Sequence, residues 1–86
     1  MMPLEFEEKF LAKLQKGNRV QIPVLVRWRH KLKPREVFKV QVAKSFIPAT
    51  FYGRLTRDGR LTIPKTVIQE IKAEPGDILN ITLLQT

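Results

Sequence analysis

The sequence predicts a small, mostly β domain with one or two short helices, assembled from two copies of one unit. Three observations lead there. Sliding the chain by 41 positions places Phe10 on Phe51, Arg19 on Arg60, Ile22 on Ile63, Pro23 on Pro64, Val26 on Val67, Lys31 on Lys72 and Pro34 on Pro75, with no gap. Within each copy, short apolar stretches of high β propensity are divided by Gly, Asn, Asp and Pro. And 86 residues are enough for one small domain and too few for two ordinary ones.

Residues 1–9 fall outside the repeat and receive no assignment. The first copy, 10–42, has a hairpin at Lys16-Gly17-Asn18-Arg19, a second strand at Val20-Gln21-Ile22 and a last strand over 37–42. Between Pro23 and Pro34 two patterns compete. Val20, Ile22, Val24, Val26, Trp28, His30 and Leu32 alternate as in a strand, whereas Val24, Leu25, Trp28 and Leu32 make a helical face. The repeat favours the helix, although this face is not the one that Val67 and Ile71 define in the second copy. Residues 43–50 join the copies and are too apolar for a floppy linker.

The second copy, 51–83, is the clearer one. Phe51 to Thr56 reads as a strand, and Asp58-Gly59 marks a tight hairpin. Leu61-Thr62-Ile63 returns as a short strand, and Pro64 suits the start of a helix whose stripe is Val67, Ile68 and Ile71. Pro75-Gly76-Asp77 turns the chain into a closing strand with Ile78, Ile81 and Leu83. Asp77 and its counterpart Glu36 are expected to cap backbone N–H groups at those turns.

Charge is the strongest compositional signal: 16 Lys and Arg against 8 Asp and Glu give a net +8. From Lys9 to Arg35 every charged residue is basic. Such density favours a polyanion, nucleic acid first, with an anionic membrane surface or an acidic protein behind it. The chain has no Cys, and a lone His30 without clustered carboxylates builds no metal site. No Ser/His/Asp set, acid/base carboxylate pair or glycine-rich phosphate loop is present, so an enzyme is not expected, nor a cofactor. The acidic opening MMPLEFEEK and the absence of a long apolar run lead to the expectation of a soluble cytoplasmic protein without membrane association.

The stretch Gly59-Arg60-Leu61-Thr62-Ile63-Pro64-Lys65-Thr66-Val67, followed by Pro75-Gly76-Asp77-Ile78, resembles the swapped-hairpin domain of AbrB, MazE and SpoVT type over about residues 51–84. The first copy keeps Gly17-Asn18-Arg19 and Ile22-Pro23, but Pro34-Arg35-Glu36 stands where the family has Pro-Gly-Asp. In that family one unit is a half-barrel and two chains close it. Two units in one chain imply a pseudo-twofold closed β-barrel of the cradle-loop group, either a fused swapped-hairpin or a RIFT barrel, monomeric as a pseudo-dimer. Closure also hides strand edges that a single half would leave open.

The resemblance further implies duplex-DNA binding by a transcription regulator or small architectural protein. Carried over by position, Arg19 and Arg60 hold the Gly-Arg site, Lys13 and Arg54 the basic position ending the first strand, and Arg27 a helix position that is Ile68 in the second copy. Composition adds Arg29 and Lys31, beside Arg27 in the basic run around Trp28. Trp28 itself is expected in the core, the alternative being a residue that stacks on a base. Arg19 and Arg60 are phosphate donors or plain solvent-facing hairpin residues. Two other functions remain open: an antitoxin-like or orphan barrel that docks a protein, and an RNA- or ribosome-associated RIFT barrel.

Overall fold

A computed structural model describes the backbone of residues 6–85 and the side chains of 7–84. Eight elements follow in order: β1 (Phe6–Lys13), β2 (Arg19–Gln21), α1 (Val24–His30), β3 (Val37–Ala43), β4 (Pro48–Arg54), β5 (Arg60–Thr62), α2 (Lys65–Ile71) and β6 (Ile78–Gln85). The ambiguous stretch after Pro23 is therefore helical up to His30. Half of the supposed connection 43–50 is strand: Ala43 closes β3, residues 44–47 turn the chain, and residues 48–50 open β4. Residues 6–9, unassigned from sequence, belong to β1, and residues 1–5 lie outside the described residues.

Local chemistry sets each element. In β3, Phe38, Val40 and Val42 point inward while Val37, Lys39 and Gln41 face out, the period-two pattern of a half-buried strand. Pro23 and Pro64 precede the helices with ψ near 140° (139° and 144°), and their carbonyls accept the first helical N–H bonds. Both helices stop where a lysine, Lys31 or Lys72, enters the left-handed region at φ 52° and 57°. There the Lys31 N–H donates to the Trp28 carbonyl and the Leu32 N–H to the Arg27 carbonyl, satisfying the last turn. Glu36 accepts from the Lys33 N–H at 2.9 Å and Asp77 from the Glu74 N–H at 2.8 Å.

The strands form a four-stranded antiparallel sheet, β1-β6-β3-β4, and a two-stranded ribbon, β2-β5. Every one of these ladders joins residues of one copy to residues of the other. β6 of the second copy pairs with β1 and β3 of the first, and β5 pairs with β2. Equivalent residues even meet directly: Gln41 opposes Thr82 in the sheet, and Val20 opposes Leu61 in the ribbon. A pseudo-twofold axis passes through both pairs. The outer ladders obey it too, since Phe10 faces Ile81 as Phe51 faces Val40.

The sheets are not closed. The ladders end at β1 and β4, and the ribbon is tied to them by one bridge on each side, Gln15 to Arg19 and Leu55 to Leu61. The continuous barrel ladder expected from sequence is thus interrupted at two seams, because β2 and β5 are three residues long and the hairpins leave strand geometry there. Between sheet, ribbon and helices lies one apolar core that includes Phe38, Leu61, Ile63, Leu79, Ile81 and Leu83. Among the described residues no polar or charged side chain is buried. The radius of gyration, 12.4 Å, matches the value of about 12 Å for a compact chain of this length.

Trp28 is not in that core. It is 73% exposed, because it occupies on α1 the place that Gln69 occupies on α2, the outer side of the helix.

Candidate nucleic-acid interface

With Val20 and Leu61 turned inward, the ribbon leaves Arg19, Gln21, Arg60 and Thr62 on its outer side. Arg19 is opposite Thr62, and Arg60 is opposite Gln21, so the two arginines lie diagonally across the twofold axis. Arg60 sets Nε 3.4 Å from the Asp58 carboxylate. The Gln21 side-chain amide donates to the carbonyls of Asp58 (2.9 Å) and Gly59 (3.2 Å), fixing the tip of the β4–β5 hairpin against the ribbon.

Arg27 joins this group from α1. A Cβ added to Gly59 would run into the Arg27 Cζ, so the guanidinium rests on the open face of that glycine. Gly59 also has φ +78°, a conformation that side chains rarely adopt, so this position needs glycine twice over. The Nε atoms of Arg27 and Arg60 are buried and lack a hydrogen-bond partner among the described residues. Two guanidiniums thus converge on one turn, with Arg19 close enough to act electrostatically on Asp58. Asp58 is held below the usual carboxylate range, first by the Thr56 hydroxyl that donates to it, then by its own backbone N–H and by the charges of Arg60 and Arg19. Asp58 faces Arg60 and Arg19, and Arg27 rests on the glycine beside it, so positive charge and donors are in excess at this turn.

The other predicted residues are placed elsewhere. Arg29 donates to Glu8 Oε1 at 2.6 Å, and His30 Nε2 lies 2.9 Å from the same oxygen. These contacts tie α1 to β1 and lower the Glu8 pKa, His30 contributing most and Arg29 next. Arg29 is therefore partly neutralised by a structural partner. Lys31 is exposed at the helix end. Lys13 and Arg54 occupy exposed positions at opposite ends of the four-stranded sheet, opposite Ile78 and Val37. They face out from the sheet, whereas Arg19 and Arg60 face out from the ribbon.

Sequence reasoning passed over Gly59 as more than a turn residue, and over Gln21 and the exposed Arg57 at the hairpin tip. The offset of 41 carried a signal for the first: Gly59 matches Asn18 just as Arg27 matches Ile68, so both members of one contact change together. Asp77, its pKa also lowered, chiefly by the Glu74 N–H and then by Lys44, belongs to a turn and not to this cluster.

Among the described residues no three His, Asp or Glu side chains gather to hold a metal ion, and no helix is long and apolar enough to cross a membrane. No family model and no curated protein matches the chain. Its fold is similar to the solution structure of PHS018 from Pyrococcus horikoshii, at 25% sequence identity and a TM-score of 0.77, over 90% of this chain and 87% of that one.

Proposed function

We propose that this chain binds nucleic acid, duplex DNA foremost, through the arginines of the ribbon and of α1, as a regulator or small architectural protein of the AbrB-like group. One observation carries the reading: Arg27 lies on Gly59 and Arg60 beside Asp58 at one turn, with Arg19 diagonally across the ribbon and near enough to act on Asp58. Phosphate oxygens are suited to such a site, because guanidinium forks donate to them in pairs and their charge completes the balance. The six strands are read as a cradle-loop barrel closed within one chain through its two single-bridge seams. The chain then acts as a monomer, its two copies doing what two subunits do in the family it resembles.

A gel shift on random duplex DNA across a salt series tests this. With about five phosphates neutralised, affinity is expected to fall a few hundredfold between about 50 and 200 mM salt. The double variant Arg19→Ala/Arg60→Ala is expected to weaken binding to all duplex sequences alike and to flatten the salt slope by about two contacts. Absence of binding at about 50 mM salt, or binding indifferent to salt, would refute the reading.

A further inference from the structure

α1 wears its apolar residues on the outside. Val24, Leu25 and Trp28 are 43%, 67% and 73% exposed, at spacings that place them along one face of the helix. On α2 the same positions hold Lys65, Thr66 and Gln69, all exposed. The backbone, the preceding proline and the left-handed stop are the same in both helices. Folding therefore does not require an apolar outer face here, and α1 has one for another reason. The rim is cationic: Arg27 and Arg29 lie on the same helix, and Lys31, Lys33 and Arg35 follow, the last three exposed.

An exposed indole on a helix that runs into Lys31, Lys33 and Arg35 suits an aromatic ring attached to an anion. Intact duplex offers phosphates and base edges but keeps its ring faces stacked, whereas an unpaired nucleotide offers both phosphate and a free ring face. We infer that the outer face of α1 is a stacking platform for an unpaired nucleobase, with Trp28 under the base and the neighbouring cations on its phosphates. Leu25 and Val24 widen the apolar surface beside the indole. The inference rests on the nucleic-acid reading above and deepens it: the preferred target is a strand opened, bulged or single, rather than an uninterrupted helix.

Trp28 is the single tryptophan of the chain, so its fluorescence reports the contact without ambiguity. The full chain is titrated with an intact DNA duplex, the same duplex carrying a one-nucleotide bulge, and one of its single strands. The bulged duplex is expected to bind about 5- to 100-fold more tightly than the intact one and to quench Trp28. Trp28→Ala should erase that preference while leaving intact-duplex affinity and thermal stability nearly unchanged, and Trp28→Phe should retain part of it. Equal affinity for bulged and intact duplex, or a preference that survives Trp28→Ala, would overturn the inference and leave the duplex reading standing. Quenching by an acidic helical peptide but by none of the oligonucleotides would assign the face to a protein instead. Failure to bind any of the three nucleic acids at about 50 mM salt would remove both readings together.

Discussion

α1 and α2 share a length, a preceding proline, a left-handed lysine at the end and a place related by the pseudo-twofold axis, yet they are opposite in polarity. α2 buries Val67, Ile68 and Ile71 and shows polar residues to solvent. α1 buries Val26 alone, turns Arg27 and His30 toward the places of Ile68 and Ile71, and shows Leu25 and Trp28 to solvent. One helix is attached by three buried side chains; the other is attached by Val26 and by the contacts of Arg29 and His30 with Glu8. Identical backbones separate what the fold needs from what the fold merely permits. Val26/Val67, the two prolines and the contacts of Arg29 and His30 with Glu8 serve folding, and the outer side of α1 is available for a partner.

Exchanging the helices' residues breaks the comparison most sharply. Ile68→Arg should cost about 2–4 kcal/mol in urea unfolding, since it removes a buried apolar side chain and brings in a charge. Its guanidinium would meet Asn18, which has a side chain where Arg27 finds the bare Gly59. The reverse change, Arg27→Ile, should alter stability by within about 1 kcal/mol, in the stabilising direction, because it deletes a buried donor that lacks an acceptor. The same variant should bind DNA more weakly. An Arg27→Ile protein as unstable as Ile68→Arg would show that Arg27 holds the fold rather than a ligand.

A smaller effect separates the two turns. Gly76 adopts φ +101° in the second copy, and its counterpart Arg35 adopts φ +74° in the first, in the region that favours glycine. The backbone N–H of each donates across the copies in the same way, to Leu14 and Leu55. Arg35→Gly should therefore raise the unfolding free energy by about 1 kcal/mol through relief of strain, with a matching loss of one cation beside α1. A melt showing no gain, or a loss, would mean that the Arg35 side chain makes compensating contacts.

Much of this molecule is legible in its sequence where chemistry is local. Gly17, Gly59 and Gly76 mark chain reversals because φ is positive there. Pro23 and Pro64 mark helix starts, and the offset of 41 transfers each element from the clear copy to the obscure one. What escaped was set by partners remote in sequence. β1 reaches back to Phe6 because it pairs with β6 as far as Gln85, a partner no local pattern announces. Pro48 to Thr50 become strand because β3 is long enough to accept them. Trp28, expected in the core, is exposed because the offset sets it on Gln69, on the outer side of the helix. Lys13 and Arg54 fall on each other under the offset of 41, but no local pattern announces that they leave from the sheet while Arg19 and Arg60 leave from the ribbon. The two seams were likewise invisible, since they depend on how far two hairpins bend.

Amide hydrogen exchange, residue by residue, on the free chain and on the chain saturated with DNA, tests the unequal roles of the two helices most directly. With one buried side chain against three, α1 should open at a lower free energy than α2 when free. On binding, α1 and the hairpin at 57–60 should gain protection while α2 does not. Equal protection of the two helices in the free chain, or a gain on α2 without one on α1, would contradict the account.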